Sequence, residues 1–225
     1  MTEKNITLNL NKNSLFTNEL LLLSNSSLGN ILKFTHSNSY ENIKGLNFTN
    51  NAILDVNKIT QSLRRSLKFL QNVKTNKGLI LFIGTRPDIR KITEKLGSET
   101  NMPYINQRWL KGLLTNWENS SSSVKFYNLF LKKLGLSKKK KLRMMGIFEG
   151  LQELTRLPDA IIILDPTTDI DAVQEAKTLN IPVIAIADTG ISLDDIDYPI
   201  LGNNESLISL TFFSNLILET LKINK

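Results

Sequence analysis

The sequence has no cysteine and a single histidine, His36, among its 225 residues. Disulfides, thiolate metal sites and cysteine nucleophiles are therefore excluded, and one imidazole offers few ligands to a transition metal. No apolar run approaches the roughly 18 residues that would suggest a membrane-spanning helix. The first 20 residues hold two Lys and two Glu and resemble neither a secretory signal nor an Arg-rich transit peptide, so we expect the protein to work where it is made.

The composition, with 41% hydrophobic and 22% charged residues, is that of an ordinary globular chain with one main domain. Asparagine is unusual, since 13 Asn occur in the first 57 residues. Asn favours turns and caps over the interiors of helices and strands. We therefore interpret residues 1–50 as an irregular N-terminal segment and residues 51–225 as the folded domain.

The formal net charge of +7 conceals an uneven distribution of charge along the chain. Residues 1–150 hold 24 Lys and Arg against 9 Asp and Glu, whereas residues 151–225 hold 4 against 12. A positive surface attracts phosphate backbones through counterion release, and an acidic surface should face water or a basic protein partner. The alternative is that the two sets of charges intermix on the folded surface.

From residue 52 onward, short apolar runs alternate with amphipathic stretches, which indicates an α/β fold with a mainly parallel sheet and helices on both faces. The predicted strands are 52–56, 78–84, 102–105, 159–165, 181–188 and, as an edge strand containing Pro199, 197–200. Four helices are predicted. The first follows Asn57, which caps it, and the second begins near Pro87. The third runs from a capping box of Thr168 and Asp171 to Leu179, and the fourth runs from Asn203 or Asn204 to about Leu221.

Residues 118–157 do not fit this alternation and are predicted to form an inserted helical hairpin with its turn near Gly135. The stretch "SKKKKLR" within it carries the basic run Lys138, Lys139, Lys140 and Lys141. Such a run is either a solvated helix face or a patch that contacts phosphates.

Many α/β proteins are nucleotide-binding enzymes, and they bind their ligands at the carboxyl ends of the strands. Residues at these ends therefore test the hypothesis of an enzyme. "GTRPD" at the end of one strand lacks the glycines of a dinucleotide fingerprint and the Lys of a phosphate loop. Asp165 and Asp188 each end a strand, where they could serve a small-molecule enzyme, but "DPTTD" and "DTG" are also turn sequences in which Asp caps the backbone. His36 is interpreted as a surface or packing residue.

Both tryptophans, Trp109 and Trp117, fall in "NQRWLKGLLTNW", residues 106–117. Core filling at the edge of the sheet is the simplest explanation of the two indole rings. It does not explain the hydrogen-bond donors around them, which suit contact with the RNA backbone. Those donors are Asn106, Gln107, Arg108, Lys111, Thr115 and Asn116. The two roles can coexist.

The stretch "NMPYINQRWLKGLLTNW", residues 101–117, resembles "GMPYVNQRWLGGxLTN" of the S2 family of small-subunit ribosomal proteins, of the bacterial and organellar type. The resemblance continues, in order and spacing, over roughly residues 50–222. It includes "LILFIGTRPDIRK" at 79–91, "LPDAIIILDP" at 157–166, "AVQEAKTLNIPVIAIADT" at 172–189 and "DYPILGNNESLISL" at 197–210.

The resemblance implies a structural protein without enzymatic activity or cofactor, bound to small-subunit rRNA and to neighbouring ribosomal proteins in support of assembly and translation. The loop positions that match the family are Asn106, Arg108, Trp109, Gly112, Thr115 and Asn116, and of these all but Gly112 are candidate RNA-binding residues. With the charge distribution, it makes these cations the candidate RNA contacts: Arg64, Arg65, Arg86, Arg90, Lys91, Arg108, Lys111 and Lys138 to Lys141.

The chain also departs from the family pattern. Lys111 replaces the first Gly of a Gly-Gly pair, the inserted hairpin is shortened, and the N-terminal family segment is barely visible in "LGNILKFTHSNSY". Together with the Asn and Lys usage of an AT-rich genome, this drift predicts a protein encoded inside a mitochondrion and located in the mitochondrial ribosome.

Overall fold

A computed structural model describes residues 14–122 and 148–222, with side chains from residue 19 onward. The helices are α1 Ser14–Leu23, α2 Val56–Thr75, α3 Arg90–Thr100, α4 Ile170–Thr178 and α5 Leu207–Lys222. The strands are β1 Leu28–Ile31, β2 Ile43–Leu46, β3 Asn51–Leu54, β4 Ile80–Ile83, β5 Tyr104–Ile105, β6 Ala160–Ile163, β7 Val183–Ala187 and β8 Tyr198–Leu201. Short 3-10 helices span Leu32–Phe34, Ser37–Asn42 and Glu149–Leu151.

A five-stranded parallel sheet in the order β5-β4-β6-β7-β8 forms the centre of the molecule. Every residue of β4, β6 and β7 is buried, which accounts for their continuous apolar sequences. From β4 the chain adds β5 on one side and later β6 on the other, so the strand order reverses between β4 and β6. The predicted α/β fold is confirmed.

Helices cover both faces of this sheet, because alternate residues of each strand point to opposite sides. Phe82 of β4 and Ile162 of β6 belong to a core shared with α2, α3 and α5. Their neighbours Leu81 and Ile163 belong to a second core, shared with α4 and with the segment that carries Trp109. Consequently α2 and this tryptophan-bearing segment lie on opposite faces of the sheet.

The predicted edge strand is confirmed as β8, and α2 packs against it. The hydroxyl of Ser62 accepts a hydrogen bond from Leu201 N at 3.1 Å, and the hydroxyl of Ser66 donates to Tyr198 O at 3.3 Å. Pro199 has no N–H to satisfy. The Ser62 hydroxyl therefore satisfies Leu201 N, which points to the open edge, whereas Tyr198 O, which Ser66 also bonds, points towards β7.

The predicted strand at 52–56 forms as β3, but it lies outside the parallel sheet. It pairs antiparallel with β1 and β2 in a separate three-stranded sheet. Residues 14–50 are thus more regular than their Asn content suggests. Asn25 and Asn50 adopt positive φ angles of 55° and 58°, and the Asn47 side chain accepts hydrogen bonds from the backbone of the turn that follows it. Asparagine here ends short elements and turns the chain between them.

Two predicted helix caps are wrong. The cap of α2 is Asp55, whose carboxylate accepts from Asn57 N at 2.9 Å, because the helix begins one residue before Asn57. Thr168 does not cap α4, since its hydroxyl donates to Asp165 at 2.9 Å. The third helix begins at Arg90, after a turn that contains Pro87 and Asp88.

The inserted segment is described at its two ends. Residues 117–122 are helical and Glu149–Leu151 form a 3-10 turn. The predicted hairpin turn at Gly135 and the basic run Lys138 to Lys141 lie outside the described residues. Within residues 14–122 and 148–222, the structure contains no helix with the length and hydropathy needed to cross a membrane.

Candidate functional site

Residues 106–117, called the tryptophan loop below, connect β5 to the start of the insertion and cover one face of the sheet. The Trp109 side chain is buried, with 7% exposure, and it packs in the same core as Leu113 and Leu114. Trp117 is half-buried against that core. Core filling is therefore confirmed for one of the two tryptophans, Trp109.

One carboxylate, that of Glu175 on α4, holds the tryptophan loop in place. Glu175 Oε1 accepts hydrogen bonds from Trp109 Nε1 at 2.9 Å and from Gly112 N at 2.7 Å. Glu175 Oε2 accepts from Leu114 N at 3.0 Å and from Thr115, through its N at 3.2 Å and its Oγ1 at 3.3 Å. A carboxylate has about four lone-pair positions, so these five donors fill it.

The sequence reasoning missed Glu175, because none of its loop partners is near it in the chain. The available signal was its position on α4. It stands three residues after Ala172 and one before Ala176, both of which are fully buried. A carboxylate on the inward side of an amphipathic helix needs a partner, since burying an unpaired charge is costly.

The backbone of the loop explains why Lys111 is tolerated where the family has Gly. Gly112 adopts a φ of +84°, a conformation that L side chains rarely take. Lys111 does not have a positive φ. The left-handed turn thus needs its second Gly alone, and Lys at the first position adds charge without backbone strain.

The outer side of the loop presents polar and cationic groups to solvent. Arg108, Lys111, Thr115 and Asn116 are exposed, and Asn106 is half-buried. Lys111 Nζ lies 3.1 Å from Asp171 Oδ1, in an exposed ion pair. Asp171 stands four residues, about one helical turn, before Glu175 on α4, so both carboxylates face the loop.

The two halves of the charge distribution therefore meet at this place. Asp171 and Glu175 come from the acidic last part of the chain, and they bind the basic loop of the first part. Here the charges intermix, as the alternative interpretation held. Exposed carboxylates away from the loop occur at Asp194 and Asp197, in the segment before β8.

Among the described residues, the predicted RNA contacts on α2 do not join the tryptophan loop in one patch, whereas Arg90 bonds Thr85, which lines the same cavity as Arg108 and Lys111. Arg64 and Arg65 are exposed on α2, and Lys91 is exposed on α3, across the sheet from the loop. The guanidinium of Arg65 lies 5.6 Å from the ring centroid of Tyr198. Arg90, also on α3, is half-buried and donates to Thr85 O at 3.3 Å.

Arg86 has a different environment, since its donors are bonded within the protein. It donates to Asp165 at 3.0 Å, to Asp88 at 2.7 Å and to the backbone oxygen of Asn204 at 2.9 Å. Burial opposes its charged form, but the hydrogen bonds and attraction of the two carboxylates outweigh that effect and raise the pKa of Arg86. Arg86 therefore joins β4, β6 and the start of α5.

The carboxylates considered for an enzyme are engaged in turns. Asp165 Oδ1 accepts from Thr167 N at 3.2 Å and from Asn204 Nδ2 at 3.1 Å, which confirms its turn role. Asp188 accepts from the backbone N–H and the hydroxyl of Thr189, and burial raises its pKa above the usual value. In the described part of the chain, no group of three or more His, Asp and Glu side chains is arranged to hold a metal ion.

His36 also has a structural role. Its Nδ1 accepts a hydrogen bond from Asn38 N at 3.4 Å at the start of the 3-10 helix Ser37–Asn42, and its own backbone N–H donates to Thr189 O at 2.8 Å. The side chain is half-exposed. This agrees with the interpretation of His36 as a surface or packing residue.

Residues 21–223 of the chain match the family model described as Ribosomal protein S2. The chain belongs to the ribosomal protein S2 family. This family consists of ribosomal proteins and not of enzymes, and the match includes the tryptophan loop together with Asp171 and Glu175. The family suggested by "NQRWLKGLLTNW" is therefore confirmed.

The S2 relatives with similar sequences are bacterial proteins named small ribosomal subunit protein uS2. The relative from Ureaplasma parvum serovar 3 is 37% identical over 187 residues, which cover 77% of this chain and 54% of the relative. The relative from Thermus thermophilus is 38% identical over 171 residues, or 70% and 67% of the two chains. That from Ureaplasma urealyticum serovar 10 is 35% identical over 242 residues, or 96% and 67%. The chain thus spans about half to two thirds of the length of these relatives.

Proposed function

We propose that this S2-family chain is a structural component of the small ribosomal subunit that binds small-subunit rRNA and neighbouring ribosomal proteins. The observation that carries the proposal is the tryptophan loop. Its inner side is fixed to the core through Trp109 and Glu175, while Arg108 and Lys111 on its outer side are exposed. The naming of its relatives as small ribosomal subunit proteins supports the same conclusion.

The anchoring of the loop favours RNA binding for a physical reason. A loop that is already ordered loses less conformational entropy when it binds, so more of the interaction energy appears as affinity. The exposed cations replace counterions along the phosphate backbone, and their release is the main source of sequence-independent affinity. The side-chain amide of Asn116 adds a donor that can contact phosphate and sugar oxygens, whereas Thr115 already donates through both its N–H and its hydroxyl to Glu175. Trp109 supports the loop from its inner side.

Cations on two other helices, α2 and α3, extend the proposal, and the two helices pack at opposite edges of the sheet. Arg64 and Arg65 are exposed on α2, and on α3 Lys91 is exposed and Arg90 is half-buried. We propose these four cations as further phosphate contacts, together with Lys138 to Lys141 in the insertion. Arg86 contributes less, because its donors already bond Asp88, Asp165 and backbone oxygens.

The central experiment measures binding of the full chain to a small-subunit rRNA fragment at several salt concentrations. Each lost phosphate contact should make the slope of log affinity against log salt shallower by about 0.7 to 0.9. We expect this change for Arg108→Glu and for Lys111→Glu. Lys44→Glu, an equal charge change on the exposed side of β2, is the matched control and should leave the slope unchanged. Equal slopes in all four proteins would contradict the proposed role of the loop.

We further propose that the ribosome concerned is mitochondrial. This rests on the Asn and Lys usage and on the shortened insertion, and the relatives named above are bacterial. Gradient sedimentation of a tagged chain from its source tests it. The chain should sediment with the small subunit that contains mitochondrial rRNA. Recovery with a non-mitochondrial subunit would contradict the location alone, and recovery as free protein at the top would contradict the ribosomal role itself.

A further inference from the structure

We propose that Glu175 is a positioning residue for RNA binding: its carboxylate sets the shape of the tryptophan loop and thereby the positions of Arg108 and Lys111. This inference rests on the proposed function. Both oxygens of Glu175 are occupied by Trp109 and by backbone N–H groups of the loop, so its role is exerted through the loop backbone and not by contact with RNA.

The hydrogen bonds supply the first step. Buried backbone N–H groups need acceptors, and those of the loop have no strand partner to provide them. Glu175 accepts from the N–H groups of Gly112, Leu114 and Thr115 at 2.7 to 3.2 Å. It also accepts from the indole of Trp109 at 2.9 Å. A single side chain thus fixes the loop at four successive places.

The second step is the order of residues along the loop. Arg108 directly precedes Trp109, and Lys111 directly precedes Gly112. Each of the two exposed cations is therefore the chain neighbour of a group bonded to Glu175. Any displacement of the anchored groups moves both cations, and phosphate contacts require both to be correctly placed at once.

The third step is that Glu175 itself is held rigidly. Its helix, α4, buries Ala172, Val173 and Ala176 completely or almost completely in the core of the sheet. The position of the carboxylate is consequently set by the sheet. Because Glu175 binds the loop, the loop is fixed relative to the sheet, and so are the backbone positions of Arg108 and Lys111.

The test uses Glu175→Gln in the full chain. The amide oxygen can still accept, but the NH₂ group that replaces the other oxygen meets N–H donors and cannot. Removing a negative charge should by itself strengthen binding to RNA. The positioning role predicts the opposite result, so the sign of the change separates the two effects.

We expect Glu175→Gln to bind the small-subunit rRNA fragment about tenfold more weakly. If both phosphate contacts are lost, the salt slope should become shallower by roughly 1.4 to 1.8. Trypsin should cleave after Arg108 and Lys111 faster than in the wild type. Glu153→Gln makes the same chemical change at an exposed site and is the matched control. Glu175→Asp, which keeps the carboxylate on a shorter side chain, should restore part of the slope.

Each outcome has a distinct meaning. Equal or tighter binding by Glu175→Gln, with an unchanged slope, overturns the positioning role and leaves the proposed function standing. Failure of the wild type to bind any small-subunit rRNA overturns the proposed function and this inference with it. If Glu175→Gln does not fold, Trp109→Phe removes a single donor from the same carboxylate, and it should weaken binding in the same direction by a smaller factor.

Discussion

The guanidinium of Arg86 and the carboxylate of Asp165 lie 3.0 Å apart, at the carboxyl ends of β4 and β6 where the strand order of the sheet reverses. In open α/β sheets this is the position at which nucleotides and other ligands are commonly bound. Here the Asp165 side chain is 3% exposed and its oxygens also bond Thr167, Thr168 and Asn204. The ion pair occupies the position in which an α/β enzyme would hold its ligand.

Arg86→Ala should destabilise the protein by about 3 kcal/mol, because it leaves the buried Asp165 carboxylate without its cation. The midpoint of urea denaturation measures this change. Arg64→Ala, which removes an exposed Arg on α2, should alter the free energy of unfolding by less than about 0.5 kcal/mol. An Arg86→Ala variant as stable as the wild type would contradict a structural role for the pair.

Nucleotides with Mg²⁺ should not raise the melting temperature of the purified protein. A ligand that binds the native state alone, at 100 times its dissociation constant, would stabilise it by about 2.7 kcal/mol. ATP and GTP at millimolar concentration, each with Mg²⁺, are suitable probes. A clear upward shift would favour the alternative of a nucleotide-binding enzyme that uses Asp165 and Asp188.

Asp171→Asn should strengthen binding to rRNA by a few fold. In the free protein Asp171 pairs with Lys111, and its removal leaves the ammonium available to phosphate. The pair is exposed, so its loss should cost less than about 1 kcal/mol of stability. Asp194→Asn removes an equal charge at an exposed site away from the loop and controls for the general effect. In a Lys111→Ala background the gain should disappear, and a gain that persists there would exclude the pair as its cause.

The stability contributed by Asp169 should depend on pH in a defined direction. Burial raises the pKa of this carboxyl above the usual 3.8, even though Thr85 donates two hydrogen bonds to it. Between 3.8 and its native pKa the native state binds more protons than the unfolded state, so the free energy of unfolding falls as the pH rises through that window. Asp169→Asn does not titrate. The free energy of unfolding of Asp169→Asn, relative to that of the wild type, should therefore increase as the pH rises from about 4 to neutrality.

Asp88 provides the opposite sign. The hydrogen bond from Arg86 holds the pKa of the Asp88 carboxyl below 3.8, so its contribution to stability is present above that pH and is lost as the pH falls through the native pKa. Urea denaturation at several pH values should thus give opposite trends for Asp169→Asn and Asp88→Asn, each relative to the wild type. Parallel trends would contradict one of the two assignments, and the sign of the common trend would show which.

Ser62→Ala should lower the free energy of unfolding by about 1 to 2 kcal/mol, because Leu201 N loses its acceptor at the edge of the sheet. Ser98→Ala is a suitable control, since the Ser98 hydroxyl bonds a backbone oxygen of its own helix, α3, at an exposed site. Thermal or urea unfolding separates the two. Equal stability of both variants would indicate that water replaces the Ser62 hydroxyl at no cost.

Local patterns were sufficient to predict most of the fold. The apolar runs around Ile80, Ile162 and Ile184 predict strands buried on both faces, because burial of a strand is recorded in consecutive residues. Side-chain contacts between residues that are distant in the chain produce no such local pattern. The bond from Trp109 to Glu175 joins residues 66 positions apart, and the bond from Arg86 to Asp165 joins residues 79 apart. For this reason the loop was predicted, whereas the carboxylate that holds it was not.

The serine contacts between α2 and β8 have a consequence for the newly made chain. An open strand edge can recruit a strand from another molecule and begin aggregation. Along this edge the N–H of Leu201 already donates to Ser62, and Pro199 has no N–H to offer. The newly made chain therefore offers a second copy few free N–H groups on that side of its largest sheet.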